Sequence, residues 1–217
     1  FEALPDHPLT GVADVAAAAW GDVDNDGHTD VYLCRRGANE LRLRTAEGWR
    51  DVTAEAGVGD AGACADTALI DADHDGDLDL FVVNADGPDE LFNNDRTGRF
   101  RRLAGDQGIA GGPGGRQFVA ADLDADRDLD LIVLNDGREH DVWLNDRLWS
   151  YRPAPAMDEF RVADLVAAVA ADADADGQVE LHTLARDGGL SVWTPDDSGN
   201  WSASARGRLG GDGGFEN

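Results

Sequence analysis

The chain has 217 residues, of which 42% are hydrophobic, so it can bury a substantial core and is not a disordered acidic tail. It carries 44 acidic and 18 basic residues, which gives a formal net charge of −26. This negative field disfavours nucleic acid and attracts cations, and no apolar run reaches the roughly 18 residues that a membrane-inserted helix needs.

Four acidic segments of nine residues recur along the chain at nearly constant spacing. They are DVDNDGHTD, DADHDGDLD, DLDADRDLD and DADADGQVE, and they begin at Asp22, Asp71, Asp122 and Asp172. Their starts lie 49, 51 and 50 residues apart, which a chance cluster of acids would not maintain. The sequence therefore contains four repeats of about fifty residues.

Each repeat contains, in chain order, four short segments with the composition of strands. A run of small apolar residues precedes the acidic segment, and a run rich in Val, Ile and Leu follows it. A turn then leads to a third strand, typified by residues 90–92 and 141–144. An aromatic residue marks the fourth strand of each repeat: Trp49, Phe100, Tyr151 and Trp201. No stretch of ten or more residues has convincing helical periodicity, which argues against β–α units.

Four-stranded units of about 40–50 residues predict an all-β fold, a β-propeller of antiparallel blades. The blades are expected at about residues 11–55, 62–105, 115–156 and 163–207. Residues 1–8 resemble the outer strand of a preceding blade, because Phe1 continues the spacing of the four aromatic residues. We therefore expect one partial propeller over residues 1–217 that belongs to a larger ring. Its exposed blade faces are expected to drive self-association when the rest of that ring is absent.

The spacing of acids within each segment predicts a calcium-binding loop. Calcium takes six to eight oxygen ligands. Carboxylates at positions one, three, five and nine, with the main-chain carbonyl of position seven, can supply them. The expected ligands are Asp22, Asp24, Asp26, His28 and Asp30 in loop 1; Asp71, Asp73, Asp75, Asp77 and Asp79 in loop 2; Asp122, Asp124, Asp126, Asp128 and Asp130 in loop 3; and Asp172, Asp174, Asp176, Gln178 and Glu180 in loop 4.

The four loops match this pattern to different degrees. Position six, where a sharp turn favours positive φ, is Gly in loops 1, 2 and 4 but Arg127 in loop 3. That exchange costs about 1 kcal/mol if the left-handed conformation is kept. Glu180 in loop 4 keeps the charge of position nine but changes its reach. An EF-hand is excluded because its last ligand stands at position twelve, between helices.

Up to four calcium ions are therefore expected, and they would change the formal net charge from −26 to −18. The alternative is that these acids only solvate polar turns. That alternative could explain one isolated acidic segment, but it does not explain four such segments at the same place in each repeat. Because the carboxylates repel one another without a cation, we expect calcium to stabilise the fold rather than to catalyse a reaction.

These motifs resemble the FG-GAP/VCBS repeat family, the integrin α-subunit type of propeller. The resemblance rests on residues 20–27 with Asp30 and Val31, and on their equivalents in the other repeats. Residues 89–94 and 98–100 also resemble the bacterial branch found with ASPIC/UnbV domains, and the absence of Lys hints at a GC-rich bacterial genome. The resemblance implies about seven blades in a complete ring, calcium between the first and second strands, and an extracellular, periplasmic or cell-surface location.

Two classes of function are open at this stage. The first is a non-catalytic binding or scaffold module for a protein or glycan ligand, with a rigid spacer that has no ligand as an equal alternative. The second is a carbohydrate-active enzyme of the polysaccharide-lyase kind, or a lectin. The sequence offers no constellation for catalysis, because its five His residues are scattered and no nucleophile motif is evident.

The two cysteines, Cys34 and Cys64, leave a further choice open. They can form one disulfide, or they can be two buried thiols. Their number is too small for a disulfide framework, so the sequence does not decide between an oxidising and a reducing compartment.

Overall fold

The computed structural model describes residues 7, 9–59, 62–103, 107–109, 111–147 and 149–209, and the backbone of residues 215–216. The predicted strand over residues 1–8 lies, apart from His7, outside these described residues. The strands of the first two sheets are β1 (Val15–Gly21), β2 (Asp30–Arg35), β3 (Glu40–Thr45) and β4 (Gly48–Asp51), then β5 (Cys64–Ile70), β6 (Asp79–Asn84), β7 (Glu90–Asn94) and β8 (Phe100–Arg102). Those of the last two are β9 (Gly115–Ala121), β10 (Asp130–Asn135), β11 (Asp141–Asn145) and β12 (Tyr151–Pro153), then β13 (Leu165–Ala171), β14 (Glu180–Ala185), β15 (Gly189–Pro195), β16 (Trp201–Leu209) and β17 (Phe215–Glu216).

The predicted all-β class is confirmed. In each sheet the strands pair antiparallel with their neighbours in the sequence, so each sheet is a simple meander, and β17 extends the last one. We refer to the sheets as blades 1 to 4. The only helices among the described residues are α1 (Thr53–Ala56) and α2 (Asp158–Arg161), which follow the fourth strands of blades 1 and 3. Neither helix is long or apolar enough to cross a membrane.

The blades pack side by side through three apolar cores. The first strands contact one another in order, β1 with β5, β5 with β9 and β9 with β13, so they form the inner edge of a fan. Within the described residues no contact of similar extent returns from β13 to β1, so the fan is not a closed ring. Alternate residues of a second strand face opposite neighbours. Val82 therefore packs toward blade 1, while Phe81 packs toward blade 3.

Polar contacts also join the inner strands of blades 2, 3 and 4. The carboxylate of Asp66 in β5 accepts the Phe118 N–H of β9 at 2.8 Å. The side-chain amide of Gln117 in β9 donates to the Ala168 carbonyl at 2.8 Å and accepts the Ala168 N–H at 3.0 Å. Each contact satisfies main-chain groups that the first strand, at the sheet edge, would otherwise leave unpaired.

The two cysteines form a disulfide between blades. Cys34 lies in β2 and Cys64 begins β5, with their Cα atoms 5.4 Å apart. Both residues are buried in the core between blades 1 and 2. The bond joins residues 30 positions apart and fastens blade 1 to blade 2. Of the two alternatives that the sequence left open, a disulfide or two buried thiols, the structure shows the disulfide.

Replacing both cysteines, as in a C34A/C64A variant, should lower the free energy of unfolding by about 2–4 kcal/mol, because the unfolded chain regains loop entropy. Denaturant titration of the variant, and of the wild type with and without reductant, measures this difference. Reduced wild type should match the variant. Equal midpoints for oxidised and reduced wild type would contradict a stabilising bond.

A buried carboxyl group, that of Asp89, stands in the turn before β7. Its Oδ1 accepts the Asn84 N–H at 3.0 Å, as Asn39 does for Arg35 in blade 1 at 2.8 Å. Asp89 is 1% exposed, and its Oδ2 has no hydrogen-bond partner. Burial, assisted by the nearby charge of Asp141, raises the pKa of Asp89 to about 7. The turn therefore favours a neutral side chain at this position.

We expect an Asp89→Asn variant to be more stable than wild type at pH 8 by about 1–3 kcal/mol. The raised pKa means that the wild type loses stability as pH rises from the unfolded value of 3.8 through about 7, whereas Asn does not titrate. Chemical denaturation between pH 4 and 8 tests this. The exposed Asp86→Asn in the same turn is the control, and a D89N effect that is constant across this pH range would refute the assignment.

Candidate metal centres

The four acidic segments form four nearly identical loops between the first and second strands of the blades. The position-one carboxylate of each loop accepts the N–H groups of positions five and six, with distances of 2.8–3.2 Å. The position-five carboxylate accepts the N–H of position seven at 2.8–3.1 Å. The acids thus curl their own backbone into one shape, as short polar side chains do in Asx turns.

Positive φ angles occur at position six of every loop: Gly27 (87°), Gly76 (90°), Arg127 (76°) and Gly177 (91°). Arg127 therefore adopts the left-handed conformation that the glycines adopt. Position four is left-handed as well, with Asn25 at 57°, His74 at 61°, and Ala125 and Ala175 both at 62°. The left-handed conformation at position four was not predicted from the sequence, although Asn25 is a residue type that is enriched in this conformation.

Arg127→Gly should raise the free energy of unfolding by about 0.5–1 kcal/mol, because it relieves the strain of a non-glycine residue at positive φ. Thermal and denaturant unfolding measure the change. The same exchange in a strand, Arg101→Gly, is the control and should destabilise the protein. If both variants lose the same stability, the third loop is not strained at this position.

The position-nine acid is the buried anchor of the first three loops. Asp30, Asp79 and Asp130 are fully buried. One oxygen of each accepts the N–H of loop position two at 2.7–3.0 Å. The other accepts an N–H from the third strand of the same blade, at 2.7–2.9 Å. One carboxylate therefore ties the loop to both the second and the third strand.

Loop 4 lacks half of this anchor. The register of β14 with β15 places Pro195 where Asn94 and Asn145 stand in blades 2 and 3, and Pro has no N–H to donate. Glu180 keeps only the bond from the Ala173 N–H, at 2.8 Å. Its carboxylate still lies with the other acids of the loop, as those of Asp30, Asp79 and Asp130 do.

Within each loop the acids converge closely enough to share one cation. In loops 1 to 3, carboxylate oxygens of positions one, three and nine lie within 4.8 Å of one another. In loop 4 the same is true of four acids: Asp172, Asp174, Asp176 and Glu180. The structure thus brings together 13 of the 16 acids predicted as ligands. It does not place Asp26, Asp75 and Asp126 in these groups. Their carboxylates accept the N–H of position seven, as that of Asp176 also does within its own group.

The electrostatics of these groups favour a cation. Burial, helped by the neighbouring loop carboxylates and opposed by the backbone hydrogen bonds, raises the pKa of Asp79 and of Asp130 to about 7. Burial and the adjacent acids also raise the pKa of Asp24, Asp73 and Asp124. An all-oxygen donor set suits a hard divalent cation such as Ca²⁺. The residues therefore fit the metal that their spacing predicts.

The position-seven side chains have a separate role from the predicted carbonyl ligands. Asp128 pairs with Arg147 at 2.7 Å, and Asp77 lies 3.6 Å from Arg96 in the same arrangement. Asp128 also contacts His74 Nε2 of loop 2 at 3.0 Å, so His74 bridges two loops. The main-chain carbonyl oxygens of position seven stay predicted ligands; they belong to His28, Asp77, Asp128 and Gln178.

Two asparagine side chains join neighbouring loops. Asn94 Nδ2 donates to the Val23 carbonyl of loop 1 at 2.8 Å and to the Leu78 carbonyl of loop 2 at 3.1 Å. Asn145 Nδ2 donates in the same way to Ala72 of loop 2, at 3.0 Å, and to Leu129 of loop 3, at 3.3 Å. Sequence reasoning missed these bridges, although an Asn ends the third strand in both repeats.

Comparison with known families agrees with this geometry. The sequence model of the FG-GAP-like repeat matches residues 22–82 and 71–133, which together span just over half of the chain and contain loops 1 to 3. A comparison with curated proteins finds no match. Loop 4 lies outside the matched residues but repeats the same hydrogen bonds.

Proposed function

We propose that this chain, which belongs to the FG-GAP-like repeat family, is a calcium-stabilised, non-catalytic module for binding or scaffolding. The observation that carries the proposal is the convergence of three or four carboxylates in each of four equivalent loops. Bound calcium would neutralise these groups and supply the attraction that holds each loop closed. The loops would then stiffen the blades, and other surfaces would contact the partner.

The anchoring of the loops supports a structural role for the metal. Because Asp30, Asp79 and Asp130 each bond to a third strand, a cation held by them also secures the sheet behind the loop. The Asn94 and Asn145 bridges extend this support to the neighbouring blade. An ion bound in one loop therefore stabilises more than the nine residues around it.

Three of the five histidines have contacts that suit a structural role. His28 and His74 pair with Asp26 and Asp128 of the metal loops. His140 is buried, and its Nδ1 accepts the Asn135 N–H at 3.0 Å. Each of these three contacts holds a turn or a loop, which supports a structural role for these histidines.

The partner and the location are parts of the proposal. A protein or glycan ligand is proposed because a rigid repeat surface suits both. The disulfide is consistent with an oxidising compartment, and within that class we propose an extracellular, periplasmic or cell-surface setting. A bacterial origin and the ASPIC/UnbV-associated branch stay predictions.

Removal of calcium should lower the melting temperature by many degrees. A site that is filled at 100 times its Kd adds about 2.7 kcal/mol to the free energy of unfolding, and four sites are available. Differential scanning calorimetry with EDTA, Ca²⁺ or Mg²⁺, with elemental analysis of bound metal, measures the effect. Mg²⁺ should stabilise less, because it demands a tighter octahedral site.

The control variants distinguish calcium bound in the loops from a general effect of the protein's negative charge. Asp79→Asn should reduce the calcium-induced shift, whereas Asp86→Asn, exposed and outside the loops, should leave it unchanged. An identical melting curve with and without EDTA, together with no calcium by elemental analysis, would refute the metal assignment. A polysaccharide-cleavage screen in calcium tests the enzymatic alternative, and turnover would overturn the non-catalytic role.

A further inference from the structure

The interface between blades 3 and 4 contains a cleft at the end where the metal loops lie. Its volume is about 330 Å³, and it opens between loops 3 and 4. In the other two interfaces the side chains of Asn94 and Asn145 occupy the corresponding place and bridge the loops. At this interface the corresponding residue is Pro195, which has no side-chain amide and lines the cleft.

A second bridge is missing at the same place. Loop 2 reaches loop 3 through the ion pair of His74, at position four, with Asp128, at position seven. The corresponding residues between loops 3 and 4 are Ala125 and Gln178, and both line the cleft. The cleft therefore exists because neither of the bridges that close the second interface can form in the third.

The cleft combines an apolar floor with an acidic rim. Leu144, Met157, Val179 and Trp201 form the apolar part of the lining. The acids are Asp122 and Asp124 from loop 3 and Asp196 and Asp197 from the turn after β15. None of the described lining residues is basic. Arg152 is outside the lining and lies 3.5 Å from Asp124 Oδ2.

We propose that this cleft binds an arginine or lysine side chain of a partner protein that is flanked by apolar residues. The proposal rests on the function proposed above and names the class of partner. The aliphatic stem of such a side chain would pack on the apolar floor while its charged head reaches the rim. The volume lies within the range of ligand pockets, and the net charge of −26 steers cations toward the surface.

Two observations favour a cationic side chain over a neutral sugar. Trp201 is 7% exposed, so it offers no open ring face on which a sugar could stack. The rim acids Asp196 and Asp197 belong to no metal loop, so they keep their negative charge when loop 3 holds calcium. Asp196 also holds its turn by accepting the Ser198 N–H at 2.8 Å, so the rim is preformed.

The test uses the peptide acetyl-Leu-Arg-Leu-amide and its neutral counterpart with citrulline in place of arginine. In calcium buffer the arginine peptide should shift the NMR signals of the Trp201 indole N–H and the Gln178 side-chain amide. The citrulline peptide should bind at least fivefold more weakly. The double variant D196N/D197N should lose at least fivefold in affinity for the arginine peptide, because Asn keeps the acceptor at 196 but removes both charges.

The control variant E47Q/D86N removes two exposed charges from blades 1 and 2 and should leave the affinity unchanged. Any of three results would overturn the proposal. They are equal affinity for both peptides, equal losses of affinity in both double variants, and no shift of the Trp201 and Gln178 signals. Shifts at these residues caused by neutral oligosaccharides, and not by the arginine peptide, would assign the cleft to glycans instead. Calcium-induced stabilisation of D196N/D197N is measured in parallel, so failure of the cleft is distinguished from failure of the calcium module.

Discussion

The buried carboxylate at position nine is the interaction on which the rest of each blade depends. In blades 1 to 3 it joins the metal loop, the second strand and the third strand through two backbone hydrogen bonds. A buried negative charge is costly unless hydrogen bonds and a cation compensate it. The same group therefore shapes the loop and gives the loop a carboxylate with which it could hold a divalent cation.

Within the described residues, side-chain bridges join neighbouring loops at the first two blade interfaces and not at the third. Blades 1 and 2 share a disulfide, an apolar core and the Asn94 bridge. Blades 2 and 3 share a core, the Asn145 bridge and the ion pair between His74 and Asp128. Blades 3 and 4 keep a core and the contacts of Gln117, but no bridge joins their loops within the described residues. This difference leaves an accessible cleft beside blade 4.

The fold and the convergence of most of the predicted acids could be predicted from the sequence, because both are local. Antiparallel meanders pair strands that follow one another, so strand composition and turns suffice to identify a blade. The ligands of a loop lie within nine residues, so their spacing alone brings them together. The left-handed conformation of Arg127 was also predictable, since its three counterparts are glycines.

By itself, then, the sequence determined the repeat, the all-β class and the acidic loops. Only the tertiary structure decided between a disulfide and two thiols, since Cys34 and Cys64 belong to different blades. It also revealed the inter-loop bridges of Asn94, Asn145 and His74, and the cleft beside Pro195. All of these depend on how neighbouring blades face each other. Contacts between residues of different blades, here 30 to 73 positions apart, follow from that packing, and no local pattern in the chain encodes them.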